Sequence, residues 1–217
     1  MKKRLFGIFV LILVTVFSLS ILGCAVRFQK RHPLDVERIK SLSEKLQELQ
    51  ETKSELEARL QKEIAEGSVS LQMQERGLVV TVVAEVLFDS GKAKVRPVGK
   101  EVLSKVANVL IKINENIIIE GHTDNVPIKR SGWKSNWELS TQRALNVLHY
   151  FIDEKELSPE RFSAAGYGPY RPMASNATVE GRQKNRRVEI VVVPAKIKKA
   201  RKGTQLETKS KAEEYIK

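Results

Sequence analysis

The sequence predicts a two-layer domain in which helices pack on a sheet, preceded by one long helix, and three observations carry that reading. Between residues 68 and 193, segments with an apolar period of two alternate with segments of helical period. Residues 35–66 contain no Gly or Pro, and Ile39, Leu42, Leu46, Leu49, Leu56 and Leu60 recur at alternating steps of three and four. The period changes at Gly67, where the long helix is expected to stop.

The elements follow in order. Residues 35–66 form a heptad seam with Lys53 inside it, which predicts a coiled coil and a homodimer; a helix folding back on its own domain is the alternative. Val69, Leu71 and Met73 alternate with Ser70, Gln72 and Gln74, and a turn at 75–77 leads into the apolar run Leu78–Phe88, read as the second strand of a pair. Pro97 opens a helix with Val98, Val102, Val106, Val109 and Ile113 on one stripe. A short strand at 117–120 runs into a polar loop. A helix follows to about residue 156, with Ser140 as its expected N-cap and Ala144, Val147, Leu148 and Phe151 as its buried stripe. A strand near 162–165, a brief helix near 178–185 and a last strand at 187–193 complete the domain.

The ends carry a different signal. Lys2, Lys3 and Arg4 precede an apolar run from Leu5 to Leu22, the pattern of an export signal or of an uncleaved membrane anchor. The only cysteine, Cys24, follows that run directly in "SILGC" and has no partner for an intramolecular disulfide. The stretch resembles a bacterial lipobox, which implies a signal peptide over 1–23, lipidation at Cys24 and a short tether over 24–34. Residues 194–217 are rich in Lys and read as a solvated basic tail. The net charge of +12 suits an acidic partner. Export makes a wall polymer or a membrane surface the candidate and removes nucleic acid.

Catalytic chemistry has little support. The three histidines (His32, His122 and His149) are not at metal-ligand spacing, no Ser or Cys sits in a nucleophile motif, and no Gly-rich loop opens a helix. No enzyme, no metal and no cofactor is expected. What remains is polar. Asp124 lies just past the strand at 117–120, and Arg143 lies on the helix after the loop; a Ser140 cap would place Arg143 in the first turn, where the dipole favours an anion. A guanidinium at a helix N-terminus makes a carboxylate receptor, and a neighbouring Asp can hold an ammonium. Together they would suit a zwitterionic amino-acid head group. Spacing equally allows Asp124 and Arg143 to pair with each other.

Several ordered motifs then point to a family. "VLFDSGKAKVRPVG" (86–99), "IIIEGHTDN" (117–125), "NWELSTQRALNV" (136–147), "GYGPYRPMASN" (166–176) and "GRQKNRRVEI" (181–190) resemble the OmpA-like C-terminal domain, found also in peptidoglycan-associated lipoproteins and motor stator proteins. The resemblance implies an α+β, two-layer β/α/β/α/β domain with a mixed sheet over residues 68–193. It also implies non-covalent binding of the peptidoglycan stem peptide. On it, Asp124 and Arg143 grip the head group of meso-diaminopimelate. Thr123, Asn125, Asn136, Leu139 and Arg187 are secondary candidates, with Arg186 expected to be structural. The loop 125–137 is long, as in the stator branch; Trp133 and Trp137 are either ligand contacts or packing residues. The implied protein is lipid-anchored on the periplasmic face of the outer membrane and ties it to the wall. The alternatives are a stator subunit, against which residues 5–22 contain no Asp or Glu, and a coiled-coil scaffold that recruits a protein partner.

Overall fold

The computed structural model describes residues 33–129 and 132–194. The expected signal peptide, Cys24, most of the tether and the basic tail lie outside the described residues. The chain divides into two compact units at Lys40/Ser41. Of the first, residues 33–40 are described as the opening turns of helix α1 (Pro33–Arg59), with Val36 and Ile39 exposed.

In the second unit, β1 (Val69–Gln74) and β2 (Gly77–Val83) form the expected hairpin, closed by a turn at Glu75 and Arg76. The alternation of β1 is kept, with one side in the core and Ser70, Gln72 and Gln74 on the other. The sheet continues with β3 (Asn116–His122), β4 (Phe162–Gly166) and β5 (Arg187–Val193) in the order β1-β2-β5-β3-β4. Every pair is antiparallel except β3 with β4. That parallel pair needs a crossover, supplied by α5 (Asn136–His149) and a π-helical turn at Tyr150–Glu154. The last strand therefore inserts between the hairpin and β3, the mixed sheet that the family resemblance implied.

One face of the sheet is apolar. Leu78, Val80, Val82, Ile117, Ile119, Val188, Ile190 and Val192 share a core with Val102, Leu103, Val106, Val109 and Leu110 of α4 (Pro97–Leu110) and Ala144, Val147 and Phe151. Pro97 sits in the first turn of α4, where its missing N–H costs no hydrogen bond. Val98 is exposed rather than buried.

Two boundaries differ from the expectation. The run Leu78–Phe88 leaves the sheet at Val83, and Ala84–Leu87 is a helical turn, α3. The ladder explains it: Val83 faces Arg187, the first residue of β5, so among the described residues no partner strand remains beyond it. The N-cap of α5 is Ser135, whose hydroxyl accepts from the Glu138 N–H at 3.3 Å. Ser140 is fully buried in the second turn, donating to the Trp137 carbonyl and accepting from the Gly168 N–H. Arg143 thus lies two turns inside the helix and does not oppose its dipole.

The seam over 35–66 is divided in use. Leu49, Leu56 and Leu60 enter the domain core, and α2 (Gln61–Ala65) continues the helix after a turn at Leu60. Lys45 pairs with Glu115 at 3.2 Å and Lys112 with Glu55 at 2.6 Å, so α1 from Ser41 onward is docked by both apolar and ionic contacts. For this half the fold-back alternative is the correct one, because the apolar stripe covers the chain's own core. Leu42 and Leu46 remain about half exposed, at 61% and 51%. Truncating Leu56 to Ala should cost about 3 kcal/mol, the usual range for a fully buried leucine. A thermal melt checks it: a loss below about 1 kcal/mol would mean that α1 is not part of the fold.

Candidate functional site

At the end of β3 the chain leaves the sheet through Thr123 and Asp124, both buried. Thr123 fixes the exit: its N–H donates to the Gly168 carbonyl at 3.0 Å and its hydroxyl to the Asp124 carbonyl at 2.9 Å. The Asp124 carboxylate accepts from the Val126 N–H at 3.1 Å and from Arg186 Nη1 at 2.7 Å. Arg186 also pairs with Glu85 on α3. Burial works against the charge on Arg186, but its hydrogen bonds to Glu85 and Asp124 outweigh that and raise its pKa.

Arg143 enters the same groove from α5 and is 5% exposed. Its Nε donates to the Lys92 carbonyl at 2.9 Å, and its guanidinium carbon lies 4.9 Å from the centre of the Phe88 ring. The internal pairing with Asp124 that spacing allowed is not made, since Arg186 takes that carboxylate. Among the described residues no carboxylate lies within ion-pair distance of Arg143. Burial, and secondly the Arg186 charge, push its pKa down to about 10, with Asp124 acting the other way. Two guanidiniums thus converge on one buried carboxylate, an arrangement that favours a further anion.

The groove measures about 800 Å³ and is lined by Phe88, Asp124, Leu139, Arg143, Arg182 and Arg186 among others. The loop at 89–93 forms one wall. It is held by Arg143, by the Asn146 amide on the Ala93 carbonyl at 2.8 Å, and by the Trp133 indole N–H on the Gly91 carbonyl at 2.8 Å. Trp133 therefore clamps a loop. Trp137 is 47% exposed and stacks on Tyr170 at 5.1 Å.

Of the expected residues, Thr123, Asp124, Asn136, Leu139 and Arg143 come together here. Asn136 donates to the Val126 carbonyl at 3.0 Å and so shapes the loop beside the groove. Asn125 is exposed and does not line it. Arg187 lies on the opposite face of the sheet, paired with Glu189 at 2.6 Å, and the arginine in the groove is Arg186. Strand parity is the reason: β5 begins at Arg187, whose neighbour Val188 points into the core, so Arg187 must point away from it. Phe88, Arg182 and Glu85 were also missed, because each reaches the groove from an element distant in sequence.

A groove fed by a strand end, a crossover helix and the residue before the last strand defines a class of layered domain, and comparison identifies it. Residues 87–186 match the OmpA family, and the chain carries an OmpA-family domain. Motility protein B of Bacillus subtilis (strain 168) is 44% identical over 150 residues, covering 68% of this chain and 57% of that protein. The Escherichia coli (strain K12) protein named probable lipoprotein YiaD is 34% identical over 139 residues, covering 64% of this chain and 61% of that one. Among solved structures, the cell wall anchor of the T6SS from Pseudomonas aeruginosa aligns with a TM-score of 0.60 and 35% identity, over 64% of this chain and 97% of that chain. This chain spans about three fifths of the length of these two curated relatives.

Proposed function

We propose that the groove binds the diaminopimelate head group of the peptidoglycan stem peptide, and that the chain ties a membrane to the wall without catalysing a reaction. The observation that carries this is the buried Arg143 guanidinium, unpaired among the described residues and set beside Asp124. In the complex, Arg143 takes the ligand carboxylate in a bidentate pair and Asp124 takes the ammonium, both out of bulk water, where charge-assisted hydrogen bonds are strongest. Arg186 positions Asp124. Thr123 and Asn136 fix the loop around it, and Leu139 supplies apolar lining. The likeness to a structure described as a cell wall anchor supports the same reading. Pelleting of the full chain with purified diaminopimelate-type peptidoglycan tests it. The wild type is expected in the pellet and Asp124→Ala in the supernatant with its circular dichroism unchanged; equal pelleting of the two would overturn the assignment.

The anchor follows from the lipobox-like stretch and from the likeness to a protein named a lipoprotein. Cys24 carries the lipid and the domain faces the periplasm from the outer membrane. Labelling cells with radioactive palmitate should mark the wild type and not Cys24→Ser. Equal labelling of both would remove Cys24 as the acceptor. Residues 35–66 contribute self-association through the part of the α1 seam that the domain leaves uncovered, Leu42 and Leu46, which would multiply weak wall contacts by effective concentration. A second reading, a stator subunit, is favoured by the 44% identity to Motility protein B. Against it stands the apolar segment 5–22, which lacks the carboxylate that an ion relay needs.

A further inference from the structure

The sheet face turned away from the helices holds a second polar cluster. Glu120 and His122 are two apart on β3 and so share that face, and the register sets Glu120 opposite Glu189 and His122 opposite Arg187 on β5. Together with Gln72, Gln74 and Arg76 they line a cavity of about 510 Å³. Glu120 is 4%, His122 2% and Glu189 6% exposed.

His122 is the unusual member. Its Nε2 lies 3.9 Å from Glu120 Oε2 and 3.9 Å from Glu189 Oε1, too far for a hydrogen bond to either. Among the described residues neither ring nitrogen has a hydrogen-bond partner. A buried imidazole with both nitrogens unsatisfied carries a desolvation cost that a fold rarely leaves uncompensated. The three residues each offer one ligand atom, and those atoms lie within 4.8 Å of one another.

We propose that Glu120, His122 and Glu189 bind a divalent transition-metal ion of the Zn2+ class on this face of the sheet. One imidazole and two carboxylates form a nitrogen–oxygen donor set suited to Zn2+, with water completing the coordination. Bonds of about 2 Å at tetrahedral angles set ligand atoms roughly 3.4 Å apart. The 3.9 Å from His122 to each carboxylate must therefore shorten by about half an ångström, and any span near 4.8 Å by about 1.4 Å, through side-chain rotation. Arg76 now bridges Glu120 and Glu189. It sits on the β1–β2 turn with 36% of its side chain exposed, and its Nε donates to Gln74. Arg76 is therefore the group that the ion displaces: a partly exposed cation that neutralises the carboxylates until the ion replaces it. Arg187 keeps its hold on Glu189 Oε1 and orients that carboxylate from behind. The ion would cross-link β3 to β5, the two strands that position Asp124 and Arg186. The site is separate from the groove, and its test does not depend on wall binding.

A histidine–carboxylate set built across two strands has no linear signature, which is why histidine and cysteine spacing missed it. The experiment is calorimetric titration of the full chain, stripped with a chelator, with ZnCl2. One ion per chain is expected. His122→Gln should weaken binding at least tenfold, and Arg76→Ala, which removes the competing cation, should tighten it severalfold. The proposal is overturned if the wild type takes up no Zn2+, or if His122→Gln binds as well as the wild type, which would place the ion elsewhere in the chain. Should His122→Gln not fold, Arg76→Ala decides alone: unchanged or weaker binding overturns the site.

Discussion

Replacing Arg143 with Met is expected to abolish pelleting with diaminopimelate-type peptidoglycan while leaving the melting temperature unchanged within a few degrees, or raised. The first effect follows from removing one partner of a desolvated charge pair, typically 2–5 kcal/mol and so at least about thirtyfold in affinity. The second follows from the ligand-free geometry. Arg143 is nine-tenths buried with no carboxylate of its own among the described residues, so the fold carries its desolvation cost. Methionine keeps much of the length and the contact with Phe88, and it forfeits one hydrogen bond, to the Lys92 carbonyl. The sign of the pH dependence is fixed by the same burial. Because burial lowers the folded-state pKa to about 10, the charged form is the penalised one, and the cost is present below about 10 and relieved as the pH rises above it. Ligand binding runs the other way. It needs the cation, so wild-type affinity for the carboxylate should fall as the pH rises through about 10. A large drop in melting temperature for Arg143→Met at neutral pH would instead make Arg143 a structural residue.

Gly121→Ala should have the largest effect on stability. A Cβ at Gly121 would stand 2.0 Å from the Ser140 carbonyl oxygen and 2.8 Å from its carbon, and one at Gly166 on the neighbouring strand 2.4 Å from the Thr141 nitrogen. Helix α5 therefore rests directly on the backbones of β3 and β4, where a methyl group cannot be absorbed by a side-chain shift. The helix would have to lift, opening the core around Ala144, Val147 and Phe151 and carrying Arg143 away from Asp124. Overpacking of this kind costs about 3 kcal/mol or more, a fall in melting temperature of roughly 10 °C for a domain of this size. A variant that melts within about 2 °C of the wild type would show that α5 and the sheet are not in backbone contact.

These two positions mark what the sequence exposes and what it hides. Asp124 and Arg143 were legible because each is tied to a local event, a strand end and a helix. The helix opened by Pro97 and the alternating strand β1 were legible for the same reason. The first turn of α5 was misread because Ser135 and Ser140 are both competent caps, and only the packing of Ser140 against Gly168 separates them. Arg187 falls on the face away from the groove, and Arg186 on the groove side, because parity depends on where β5 begins, which its neighbours in the sheet set. The seam of α1 shows a further limit. Period 3.5 marks an apolar stripe, but Leu49, Leu56 and Leu60 use it on their own domain, and periodicity does not say whose surface a stripe covers. Phe88 and Arg182 join the groove through tertiary contacts and carry no local signal.

The central claim is that Arg143 and Asp124 recognise a carboxylate and an ammonium on one carbon. Its most direct measurement is the affinity of the full chain for a soluble stem peptide bearing meso-diaminopimelate, compared with the same peptide bearing lysine at that position. Lysine keeps the side-chain ammonium and lacks the carboxylate beside it. Saturable binding of the diaminopimelate peptide, lost with lysine and lost in Arg143→Met, is the predicted result. Equal affinity for the two peptides would contradict the account.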